Sequence, residues 1–161
     1  MIDDSAVLPP VSVEVLALRV NASGTWAYRR STTAPVPGES PDEAARRLAR
    51  VPADVPYTVV HSTSWRYRPV GQVVLTYAVC PDPTPELPAI ELPVLCLSAG
   101  ATPAAPTPEH LDVANVAAHA IRHLAFLKAT DAVVGDALGA HPRVGRALDG
   151  LAEVAAVAGQ R

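Results

Sequence analysis

His119 and His123 stand four residues apart in a stretch of helical periodicity, so both imidazoles can reach one point. That spacing suits a transition metal, with Asp112 or His110 a short way along the helix as a third ligand. Asn115 and Arg122 lie on or near the same side. Ala120 follows His119, where a helical zinc protease carries its glutamate, so that reaction is not expected. The bland reading of the pair is the polar outer face of an amphipathic helix, or histidines bordering an interface. A second group is Trp65-Arg66-Tyr67-Arg68, which on a strand sends two aromatics to one face and two guanidiniums to the other. One face could stack a ring while Arg66 and its neighbours hold phosphate. The residue types favour a core Trp65 and Tyr67 with the arginines in solvent. The run His61-Ser62-Thr63-Ser64 sets hydroxyls beside an imidazole, but adjacent strand side chains point apart, so no catalytic triad is expected there.

The elements that must position these groups follow from patterning. Residues 11–20 are β-branched and apolar, 21–24 read as a turn, and 25–30 have strand character, giving a hairpin. Residues 56–68 and 72–80 form a second hairpin across Pro69-Val70-Gly71. Between the hairpins, Ser40 suits a helix cap, Pro41 the first helical position and Glu43 a capping box, and Pro52 stops the helix. Asp42 with Arg46, and Glu43 with Arg47, are favourable i,i+4 pairs. Residues 81–108 are proline-rich, extended connection with one strand at 92–98. A long helix is predicted over 109–129, with Leu111, Ala114, Ile121 and Leu124 in its apolar stripe. A shorter piece over 131–138 is broken by Gly135 and Gly139, and a last helix covers 143–158 with Val144, Leu148, Leu151 and Ala155 inward. Hairpin, helix, strands, then helices is the order of an α+β, mixed α/β domain with helices packed on a sheet. One domain is expected over 1–161: a sheet-forming part at 11–100 with a helix at 41–50, then C-terminal helices at 108–158.

Composition excludes several classes. At 49% hydrophobic and 18% charged residues, the chain is globular and not disordered. Aromatics at 4% leave the core to Val, Leu, Ala and Ile. A net charge of −3 argues against a general nucleic-acid binder. The cations are nearly all Arg, the mark of a high-GC, actinobacterial type of coding sequence. Cys80 and Cys96 lie in apolar runs; a buried free thiol is the favoured state of each, and a disulfide between them the alternative. The acidic start lacks a secretory signal's apolar stretch and no run approaches a membrane span, so a cytoplasmic protein without membrane contact is expected.

Residues 37–47, Pro37-Gly38-Glu39-Ser40-Pro41-Asp42-Glu43-Ala44-Ala45-Arg46-Arg47, carry a resemblance to a known family. Placed between two strand pairs, they are similar to the loop and helix of the Nudix hydrolases. Glu39 falls on the motif's first glutamate and Arg47 on its arginine, with seven residues between. The resemblance implies a Nudix-like mixed sheet and makes Glu39, Glu43 and Arg47, beside Trp65, Arg66 and Tyr67, candidates for ligand binding. The departures remove the family's chemistry. Thr33 replaces the first glycine, Leu48 the glutamate after the arginine, Val51 and Pro52 the metal-binding glutamate pair, and Asp54 the last glycine. Placing Mg²⁺ on a diphosphate needs several converging carboxylate oxygens, which this helix does not offer.

The expectation is a non-catalytic Nudix-like domain that binds a small ligand or a protein partner, with no catalytic residues and no cofactor. The alternative is a divergent hydrolase of a nucleoside-diphosphate-type or phosphorylated substrate, using other residues and requiring Mg²⁺. A third reading is an interaction module that forms a homodimer through its C-terminal helices.

Overall fold

A computed structural model of the protein describes residues 9–94, 97 and 113–158, and the side chains among them up to 151. Its architecture is an α+β fold with one five-stranded mixed sheet. The strands are β1 (Val11–Val20), β2 (Trp26–Thr33), β3 (Val59–Arg68), β4 (Gln72–Cys80) and β5 (Ile90–Glu91). Their order across the sheet is β3-β4-β1-β2-β5; β1 and β4 run parallel and the other neighbours antiparallel. The helices are α1 (Pro41–Ala49), α2 (Val113–Thr130), α3 (Ala132–Gly139) and α4 (Pro142–Ala158).

β1 lies at the middle of the sheet and is covered on both faces, which is why it reads as a nearly continuous apolar run. Its period of two divides the core. Val13 and Val15 join Tyr77 and Val79 of β4 beneath Ala44 and Ala45 of α1. Leu16, Leu18 and Val20 join Trp26, Tyr28 and Ala78 beneath Ile121, Leu124, Leu138 and Leu148 of α2–α4. The sheet is thus sandwiched between one short helix and three others.

The two hairpins and the helix start appear where patterning places them. Ser40 Oγ accepts from the Glu43 amide at 3.1 Å, capping α1. The helix ends one turn before Pro52 is reached. Arg50 adopts a left-handed conformation (φ 57°), its amide donates to Arg47 O, and the Val51 amide reaches back to Arg46 O. The two i,i+4 ion pairs do not form: Arg47 binds Glu39 instead, Arg46 donates to Pro52 O, and Asp42 accepts from the Tyr77 hydroxyl.

Two expectations are corrected, and part of a third lies outside the described residues. The strand at 92–98 is replaced by the two-residue β5 at Ile90–Glu91, with Val94 and Leu97 helical; Pro93 has no amide to continue a ladder. The long helix is described from Val113, so Leu111 lies outside the described residues, as does the side chain of Ala155. Gly135 does not break its segment: α3 runs through it from Ala132 to Gly139. Its role is close approach, because a Cβ there would sit 2.8 Å from the Lys128 carbonyl oxygen of α2. Gly135→Ala is therefore expected to lower stability by about 1–3 kcal/mol despite alanine's better helix propensity, read as a lower urea midpoint at unchanged slope.

Candidate functional site

The period of β1 that sends Leu16 and Leu18 toward α2–α4 sends Glu14 the same way. Register places Thr76 of β4 directly opposite it, Arg30 of β2 opposite the neighbouring Leu16, and Arg66 of β3 opposite Val74. All four side chains therefore meet on one face. Glu14 is fully buried and takes a forked pair of bonds from Arg66, Nη1 to Oε1 and Nη2 to Oε2, each 2.9 Å. Arg30 Nε donates to Oε2 at 2.6 Å and Thr76 Oγ1 to Oε1 at 2.9 Å. Burial alone would raise this carboxyl's pKa, but the bonds from Arg66, then Arg30 and Thr76, outweigh it and lower the value to about 2.

Above this cluster the sheet face opens into a cleft of about 780 Å³. Arg30, Arg66 and Arg68 line it with Thr32 and Gln72, and Val113, where α2 begins, closes one side. Two guanidiniums against one carboxylate leave a surplus of one positive charge at the floor, and Arg68 adds another. Arg30 keeps 42% of its side chain exposed, and its bond to Glu14 engages only Nε, so its two terminal amino groups are available in the cleft. Gln72 is buried and held in place, its Nε2 donating to Pro9 O at 2.9 Å and its Oε1 accepting from Arg68 at 3.2 Å. A forked, partly desolvated cationic floor with hydroxyls on its rim can recognise a carboxylate or phosphate.

The chain has no match among protein-family models, curated proteins or solved structures.

The residues proposed from sequence divide between two places. Glu39 and Arg47 meet in a bidentate pair, both bonds 2.9 Å, and Arg47 also donates to Ala34 O at 3.2 Å. This bond lowers the Glu39 pKa. The pair closes the loop onto α1; Glu39 Oε1 also accepts from the Val36 amide. Glu43 is exposed on α1 and its amide is the one Ser40 caps. Leu48 and Val51, two of the positions where the resemblance would need carboxylates, pack in the apolar cluster under α1. Arg66, by contrast, reaches into the cleft on the other side of the sheet, and Tyr67 borders that cleft from the edge strand. The two places come nearest at Ala34, which lines the cleft and accepts from Arg47.

The arrangement expected for Trp65–Arg68 is reversed. Trp65 is 69% and Tyr67 58% exposed, while Arg66 runs inward to Glu14. The cause is a register shift between Ser62 and Ser64, which moves the helix-facing set from Val59 and His61 to Ser64 and Arg66. β3 is also an edge strand, and Trp65 and Tyr67 project from its α1 side. Glu14, Arg30 and Thr76 went unseen in the sequence. The available signal was an acid inside the apolar run of β1, which needs a buried partner.

Cys80 is a buried free thiol, its pKa pushed up to about 12 by burial and then by Asp82; Cys96 lies outside the described residues. His119 and His123 do share a helix face, their rings 6.5 Å apart, and His61 of β3 joins them at 5.5 Å from His123. Asp112 and His110 lie outside the described residues. Among the described residues, no three ligating side chains already converge on one point, and no helix is long and apolar enough to cross a membrane.

Proposed function

We propose that this chain is a non-catalytic, Nudix-like binding domain that takes an anionic small molecule, phosphorylated or carboxylated, in the cleft floored by Arg30 and Arg66. The carrying observation is the surplus guanidinium charge over one buried carboxylate, at the base of a cleft large enough for a metabolite. Support for the Nudix-like build is the pairing of Glu39 with Arg47, the two residues on which the resemblance rests. In this reading that motif anchors a loop and α1, and the opposite face of the sheet binds the ligand. Arg66 is committed to Glu14 through both terminal nitrogens and sets the shape of the floor, whereas Arg30 meets the anion.

The test is calorimetric titration with nucleoside diphosphate derivatives and simple dicarboxylates, with and without Mg²⁺, alongside an assay for released phosphate. Binding without turnover is expected, weakened about tenfold in Arg30→Gln by loss of one charge-assisted contact. Phosphate release that needs Mg²⁺ and vanishes in Glu39→Gln would sink the non-catalytic reading. An absence of binding across the panel would sink the anion site.

A further inference from the structure

We propose that His61, His119 and His123 form a site for a borderline divalent transition ion such as Zn²⁺. The three imidazoles bridge edge strand β3 and helix α2 on the cleft's side of the sheet. His119 and His123 are one helical turn apart on one face of α2, with ring planes tilted by only 16°. His61 supplies what the helix lacks, a donor from a second element.

The tautomer of His61 is fixed. Its Nδ1 lies 2.7 Å from the Ser62 carbonyl oxygen, which can only accept, so Nδ1 carries the proton and Nε2 the lone pair. A ring N–H held by a backbone carbonyl is the arrangement that orients metal-binding histidines. Burial first, then His61 and His119, lower the pKa of His123.

As they stand, the three side chains are not placed to hold an ion, and closing on one takes side-chain movement. Two imidazoles on one tetrahedral Zn²⁺, with N–Zn bonds of about 2.0–2.1 Å, have ring centres about 5 Å apart. His61 and His123 stand at 5.5 Å, and His119 and His123 at 6.5 Å. His119 is the exposed member and can swing inward by a change of rotamer. Three nitrogens leave the fourth position to water.

The test is Zn²⁺ titration of the full, tag-free chain at pH 7.5 and pH 5.5, with nitrogen NMR of the imidazoles. One site is expected at pH 7.5, with Nε2 and not Nδ1 of His61 shifting on binding. Affinity should fall at least about tenfold in His61→Gln, His119→Gln and His123→Gln, and also at pH 5.5, because protons compete with the ion for imidazole nitrogens. His119→Gln changes an exposed side chain and keeps the test decisive if either of the other variants fails to fold. No Zn²⁺ binding at pH 7.5, or binding that His119→Gln or a folded His61→Gln leaves unchanged, would overturn the proposal.

Discussion

Glu14→Gln is expected to cost about 3 kcal/mol of folding free energy and to tighten anion binding. Removing one partner of a buried ion pair leaves its counter-charges without compensation, at about 3–5 kcal/mol. The lower end applies because Arg30 and Arg66 border the cleft and can regain water. The same change frees both guanidiniums for a ligand, so affinity for the anions that bind the parent chain should rise as stability falls. Urea unfolding and calorimetry on one preparation check both halves. A variant that loses stability and affinity together would show that Glu14 only shapes the floor.

The acid profile follows from the same group. The folded pKa of Glu14 lies at about 2, below its ordinary value of 4.5. A lowered folded pKa gives stability that is fully present above 4.5 and is lost as pH falls from there toward 2. The parent chain should therefore lose up to about 3 kcal/mol from this carboxylate across that window. Glu14→Gln should lack that component of the slope while starting from a lower plateau.

What sequence could reach was set by how local the controlling interactions are. β1 and β4 were legible because long β-branched runs leave little choice, and α1 because Ser40 and Pro41 act within one turn. Gly135 was misread because its reason is a carbonyl of the neighbouring helix. Trp65 and Tyr67 were placed inside because aromatics commonly pack, and one irregularity at Ser62/Ser64 decides which face they take. His119 and His123 were visible as a helical pair, but pairing of β3 with β4 was needed to bring His61 to them. The cleft depends on four strands in register, so its parts, at 14, 30, 66 and 76, carry no common sequence signature.

The Glu39–Arg47 pair has a structural task at the start of α1. Leu48 and Val51 contribute apolar area beneath α1, where a carboxylate would have to be kept hydrated or paired. Apolar groups in those positions stabilise the contact between α1 and the sheet, and the loop remains closed by a charge-assisted fork. The helix and loop therefore hold β2 in place, and Thr33 and Ala34 at its end form part of the cleft's rim.

Asp82→Ala is expected to cost about 3 kcal/mol as well, but to leave anion binding untouched. Its carboxylate is buried beyond the end of β4 and takes bonds from Arg29 Nε at 2.9 Å and Nη2 at 2.7 Å, with Arg19 at 3.4 Å. Burial raises its pKa, and the Arg29 bonds together with the Thr84 amide more than reverse this, so the carboxylate stays charged. Arg19 also donates to Pro85 O and Leu87 O, both at 2.7 Å. The acid therefore fixes the cations that tie the proline-rich segment to β1 and β2. Without it, exchange of the Leu87 amide, bonded to Thr84 O at 3.1 Å, should speed up more than that of amides in β1. None of these groups lines the cleft. The two buried acids thus separate stability from recognition: both substitutions lower the urea midpoint, and only the one at Glu14 changes the affinity for an anion. Equal effects on affinity would mean that the cleft responds to loss of stability itself, and the assignment of its floor to Glu14, Arg30 and Arg66 would fall.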